Sequence, residues 1–146
     1  MQFWKSLLLP IGLLSVLLPG VNAAFAGQNA FRSTSGDTVF PSAAFGCAGD
    51  KVSYTTRYHG TAYVGTLWIK SPAGVACEGG RGRVVRGYFE ELSDGSGEWC
   101  QGQLTLYLLP LPSGSYAQWS NIRPVPGYHC AGSGSTPKLP LRYAAQ

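Results

Sequence analysis

The sequence predicts an all-β fold, a small antiparallel β-sandwich or barrel, and three observations carry that expectation. From Cys47 onward, short runs rich in Val, Tyr, Thr, Trp and Leu alternate with Gly, Pro and Ser, the texture of strands joined by tight turns. Between 51 and 58 the alternation is strict, with Val52, Tyr54, Thr56 and Tyr58 on one face and Lys51, Ser53, Thr55 and Arg57 on the other. A period of two belongs to a strand with one buried face. The four cysteines form two pairs of equal spacing, Cys47 with Cys77 and Cys100 with Cys130, each 30 apart and the second pair 53 positions after the first.

The N-terminal stretch reads as a cleaved secretory signal peptide over 1–26. Lys5 precedes an apolar run from Leu7 to Leu18, Pro19 and Gly20 break it, and small residues allow cleavage after Ala23 or Ala26. The run falls short of the roughly 20 apolar residues that a membrane-spanning helix needs. The mature form is therefore expected to lack a transmembrane segment and to be periplasmic or secreted. Removing the leader takes away Lys5 and lowers the formal charge from +4 to +3, a mildly basic surface compatible with an anionic partner without requiring one.

Residues 27–46 are polar, with Asp37 to Phe40 as their one strand-like piece, and read as an N-terminal extension with a short strand. Residues 47–146 read as a single disulfide-stapled β domain, of a size usual for one folding unit. Strands are expected at 51–58, 61–70, 83–91, 103–109, 115–122 and 138–143. The run from Tyr63 to Lys70 is apolar on both faces and is expected to be a central strand.

An even cysteine number, an exported chain and the lack of a Cys-x-x-Cys pair favour disulfides over zinc or redox chemistry. In an antiparallel hairpin the start of one strand lies beside the end of the next, so a bridge across the open end has its sequence midpoint at the turn. The midpoint of Cys47 and Cys77 falls beside His59 and Gly60, and that of Cys100 and Cys130 falls in the Pro- and Gly-containing turn at 110–115. This predicts Cys47–Cys77 and Cys100–Cys130, each contributing about 3–4 kcal/mol by restricting the unfolded chain. At an offset of 53, Tyr54 also meets Tyr107, Tyr63 meets Tyr116 and Ile69 meets Ile122, which raises an internal duplication of two disulfide-closed hairpin units. Against it, Leu104, Leu106 and Leu108 fall on the face that corresponds to Lys51, Ser53 and Thr55.

Catalytic signatures are weak, and no catalytic residue is assigned. The chain has no Gly-x-Ser-x-Gly, no His-Glu-x-x-His and no phosphate-binding glycine loop. Its two histidines, His59 in a turn and His129 beside a disulfide cysteine, make a poor base and a poor metal site. Glu90 and Glu91 are consecutive on a strand and face opposite sides; Glu90 and Glu98 across the turn at 93–97 are the one pairing a glycosidase reading would use.

Binding signatures are stronger. Arg81, Arg83 and Arg86 cluster on one segment, with Arg57 and Lys70 as neighbours from adjoining strands, a set suited to carboxylate, sulfate or phosphate groups. Trp119, between Gln118 and Ser120, reads as an exposed aromatic able to stack on a sugar or anchor a protein. The expected function is a non-catalytic binding protein, in one form an inhibitor or immunity-type protein against an envelope-acting enzyme. The alternatives are a glycan- or polyanion-binding module and a small hydrolase. The expected partner is a protein or an anionic glycan of the envelope or extracellular space, with no nucleic acid, no cofactor and no metal.

Overall fold

The structure, a computed structural model, describes residues 29–41, 44, 46–77 and 84–144. The leader at 1–26 and the arginines Arg81 and Arg83 lie outside the described residues. Eight strands are present among them: β1 Ala30–Ser33, β2 Val39–Pro41, β3 Lys51–Tyr58, β4 Thr61–Ser71, β5 Val84–Ser93, β6 Trp99–Tyr107, β7 Ser115–Pro124 and β8 Leu139–Ala144. Each pairs antiparallel with the next, and β8 returns to β1, so the sheet closes into an up-and-down barrel. Of the two all-β architectures the sequence allowed, the barrel is the one formed. All six expected strands are present, and the segment read as an extension contributes β1 and β2 to the wall.

Closure gives every strand an inner and an outer face. The alternation of β3 is realised with Val52, Tyr54 and Thr56 inside and Lys51, Ser53 and Thr55 exposed. Tyr58, next in phase, stands past the packed interior and is 41% exposed. A closed sheet has no central strand. The expectation that β4 is covered on both sides is corrected accordingly: Leu67 and Ile69 are buried inside, while Val64 on the outer face is 60% exposed.

His59 and Gly60 form the two-residue β3–β4 turn, both with positive φ (47° and 80°). That is the turn whose twist matches a hairpin's, and it needs residues that tolerate the left-handed region. Inside, large side chains are accommodated by glycines on facing strands. Gly65 sits opposite Tyr54 in the β3–β4 ladder, and a Cβ there would overlap the Tyr54 ring. At Gly87, a Cβ would run into the Trp68 carbonyl and come within 2.9 Å of Leu67 Cδ1.

The two disulfides form as the spacing predicts, with Cα–Cα distances of 5.9 Å for Cys47–Cys77 and 5.1 Å for Cys100–Cys130. They lie at opposite ends of the barrel. The first joins the chain before β3 to the turn after β4; the second joins the start of β6 to the 125–138 connection between β7 and β8. The proposed equivalence of the two hairpins is corrected by the direction of their side chains. Tyr54 and Tyr63 point into the barrel and are buried, whereas Tyr107 and Tyr116, their counterparts at offset 53, stack on each other on the outer face. A period-two structure cannot align residues that face opposite ways.

Filling at the glycines makes a prediction. Gly87→Ala should destabilise the barrel by about 1–3 kcal/mol or more through overpacking, while Ser53→Ala on the exposed face should stay within about 0.5 kcal/mol. Urea-unfolding midpoints of the two variants against the parent check this, and equal midpoints would show that the barrel wall has slack at Gly87.

Candidate functional site: a cup at one end of the barrel

The barrel interior is layered. Phe31, Leu67, Ile69, Val85, Phe89, Leu104, Leu106 and Leu141 are fully buried and fill most of it. Toward the end that carries the β1–β2, β3–β4, β5–β6 and β7–β8 connections, the inward positions turn polar: Ser33, Thr38, Thr56, Glu91 and Ser93 are all buried. Above that layer lies an open cavity of about 380 Å³.

Glu91 is the floor of this cup. It is only 8% exposed, and its Oε2 accepts hydrogen bonds from the Tyr54 hydroxyl (2.5 Å) and the Trp119 indole Nε1–H (2.7 Å). Phe40 stacks on Tyr54 with ring centroids 4.7 Å apart and contacts Trp119 at 6.3 Å, which fixes the two donors from behind. No buried side-chain oxygen among the described residues lacks a partner, and both bonds to Glu91 go to Oε2. Oε1 is therefore the atom that faces the cavity Glu91 lines.

A bulge shapes the far wall. Between the Gln103–Ser120 and Gln101–Arg123 pairs, Asn121 takes a positive φ of 51° and the phase of β7 flips. Ala117 and Trp119 point inward before it, and Ile122 lines the cup after it. From Trp119 onward β7 pairs with the 125–138 connection instead of β8: the Thr136 N–H donates to the Trp119 carbonyl at 3.0 Å, and Ile122 and Gly134 exchange backbone hydrogen bonds. Gly132, Ser133 and Ser135 of that connection complete the lining, beside Cys100 of the disulfide that anchors it.

Electrostatics follow from this burial. Desolvation raises the Glu91 carboxyl above its ordinary value of 4.5, against the hydrogen bonds from Tyr54 and Trp119, which favour the charged form. Burial, with the adjacent Glu91 charge, holds the Tyr54 phenol well above its usual range. Tyr63, whose hydroxyl donates to Glu98 Oε1 at 3.2 Å, is pushed up to about 12 by burial and by Glu98.

The residues singled out from sequence are scattered by the fold. Trp119 is 7% exposed and not a surface aromatic; it was misread because its polar neighbours Gln118 and Ser120 face outward while it faces in. Arg57 sits at the cup rim, its Nε 3.9 Å from Asp37 Oδ1 and its Nη1 donating to the Gly60 carbonyl at 2.9 Å. Arg86 is exposed on the outer face of β5 beside Ser71. Arg57 lies opposite Ala62, nine residues along β4 from Ser71, so the two arginines are about 30 Å apart along the strands and share no site. Lys70 lies toward the Arg86 end.

Glu90 points outward, opposite Gln101, and Glu98 ties loops together by accepting the Ala131 N–H at 2.7 Å, so these two do not form a pair inside the cup. His59 packs edge-on against Tyr58 outside the cavity. Glu91 was passed over, although the phase set by Val85 and Phe89 was the signal that it points in.

Comparison with known proteins returns no matching family model, no matching curated protein and no matching solved structure.

The buried carboxyl predicts a pH dependence. Because its folded pKa is raised, the native state holds a proton that the unfolded chain releases. Stability should fall as pH rises from near 4.5 through the raised value. Glu91→Gln keeps an acceptor for both donors and should remove that part of the decline, with stability within about 1 kcal/mol of the parent at the acid end of the window. Urea unfolding of both proteins between pH 4 and pH 8 measures the difference.

Proposed function

We propose that the protein is a non-catalytic binding protein that acts outside the cytoplasm and receives its ligand in the cup at the loop-bearing end of the barrel. The observation that carries this reading is the cavity itself. Its 380 Å³ opens above a filled apolar core and a layer of buried polar side chains. An eight-stranded barrel has an interior that either fills with side chains or holds one small ligand, and small-molecule sites run from about 300 to 1,000 Å³. This barrel does the first through most of its length and leaves room for the second at one end. The two disulfides fit an oxidising compartment, in keeping with the export signal expected at 1–26.

The hydrolase alternative is less well supported, because Glu90, Glu98 and His59 do not line the cavity. The polyanion alternative loses strength from the separation of Arg57 and Arg86 and from the engagement of Arg57 with Asp37 and Gly60. A protein-binding reading, of the inhibitor or immunity type, has one observation in its favour. Val64, Leu92 and Trp99 are successive neighbours across β4, β5 and β6 on the outer wall, and Trp99 meets the ring of Tyr128 at 4.8 Å. Val64, Leu92 and Tyr128 are 60%, 51% and 46% exposed.

Two variants separate the readings. Ile122→Trp should obstruct the cup and weaken small-molecule binding by at least about tenfold, whereas Leu92→Asp should leave it unchanged. The readout is a thermal-shift screen of small amines, sugars and carboxylates, with hits confirmed on the Trp119 indole N–H resonance. A protein ligand lost with Leu92→Asp and indifferent to Ile122→Trp would overturn the cup in favour of the outer wall.

A further inference from the structure

We infer that the cup is built for a small organic cation, a primary ammonium group that descends to Glu91 Oε1 with its organic body held between aromatic walls. The inference rests on the cup reading above and gives its ligand a chemical class.

Glu91 is a side chain more than nine-tenths buried whose free oxygen is aimed into a cavity. Its other oxygen is saturated by two neutral donors, the Tyr54 hydroxyl and the Trp119 indole N–H. Among the described residues that line the cup, no charged side chain compensates it. Arg57, the nearest rim guanidinium in the lining, is turned to Asp37 and the Gly60 carbonyl. Lys138, also in the lining, has its Nζ 4.7 Å from the centre of the Tyr116 ring on the outer face. A carboxylate kept from water and lacking a counter-charge is costly, and it is relieved either by a proton or by a cation brought to it.

The walls suit the second solution. Trp119 and Tyr63 line the space beside Glu91, with Tyr58 at the mouth, and an electron-rich ring face attracts an ammonium group. Around Glu91 the remaining groups from each packed strand are neutral: Tyr54 from β3, Tyr63 from β4, the oxidised Cys100 from β6 and Trp119 from β7. Glu98 reaches the site through the Tyr63 hydroxyl and the Ala131 N–H it accepts from, the latter beside the lining residue Gly132. A divalent metal is the poorer fit, since the described residues hold no cluster of three His, Cys, Asp or Glu side chains that could bind one.

Three size-matched probes test the class: benzylammonium, benzyl alcohol and benzoate, titrated against the intact disulfide-bonded protein and read on the Trp119 indole N–H resonance. Benzylammonium should bind most tightly, with affinity that rises with pH above 4.5 as Glu91, whose carboxyl burial raises, gives up its proton. Glu91→Gln should weaken it by at least about tenfold and abolish the pH dependence, leaving benzyl alcohol little changed. A circular dichroism melt confirms that the variant is folded. Preference for benzyl alcohol or benzoate, or benzylammonium binding indifferent to Glu91→Gln, would overturn the cation and keep the cup. No perturbation of Trp119 by any of the three would overturn both.

Discussion

Closure of the sheet is the constraint from which the other features descend. Once β8 pairs with β1, the wall has a fixed circumference, and the inward residue of each strand must share one enclosed cross-section with those of its neighbours. Two of the aromatic rings enter that section where a facing strand gives up its side chain, Tyr54 opposite Gly65 and Phe89 opposite Gly102. Among the described residues, the same requirement leaves the outer face without a covering layer. Apolar residues that a sandwich would have buried, Val64 and Leu92 among them, stand in solvent.

The two ends of the barrel are then free to differ. At the end away from the cup, Ile69, Val85 and Leu108 fill the interior, and Cys47–Cys77 ties the connections together. At the other end the inward positions become Ser33, Thr38, Thr56 and Glu91, side chains that need hydrogen bonds more than volume. Thr38 and Thr56 satisfy each other at 2.7 Å, and Glu91 is satisfied on one oxygen only. A polar layer in a small barrel costs stability that apolar packing would supply. Its concentration at one end, below loops fastened by Cys100–Cys130, is what gives that end its chemical character.

Much of the wall was legible in the sequence because alternation is a local signal. β3 shows it plainly, since its outward residues Lys51, Ser53 and Thr55 are polar. β1 escaped notice because it has four residues and buries Ala30, Phe31 and Ser33 alike, leaving no two-residue contrast to read. The disulfides were legible because hairpin geometry converts a spacing into a pairing. The cup was not, for its lining comes from several strands and one long connection that only closure brings together. Trp119 shows the failure most clearly: neighbours along the chain described its outward-facing surroundings, and neighbours across the barrel decided its burial.

The seam between β1 and β8 carries a consequence for the order of folding. Ala30 pairs with Ala144 and Ser33 with Leu141, so this ladder joins segments more than a hundred positions apart, whereas every other ladder joins consecutive strands. Loop closure over such a distance carries the largest entropic cost and makes the seam the latest contact to form. Both disulfides lie C-terminal to β2 and leave β1 and β2 unlinked by a covalent bridge, and β2 joins β3 through a single residue pair, Val39 with Thr55. The barrel therefore assembles as a curled six-strand sheet that two short strands then seal. The two strands are then held in the wall unequally, by four register pairs between β1 and β8 and by the single Val39–Thr55 pair between β2 and β3.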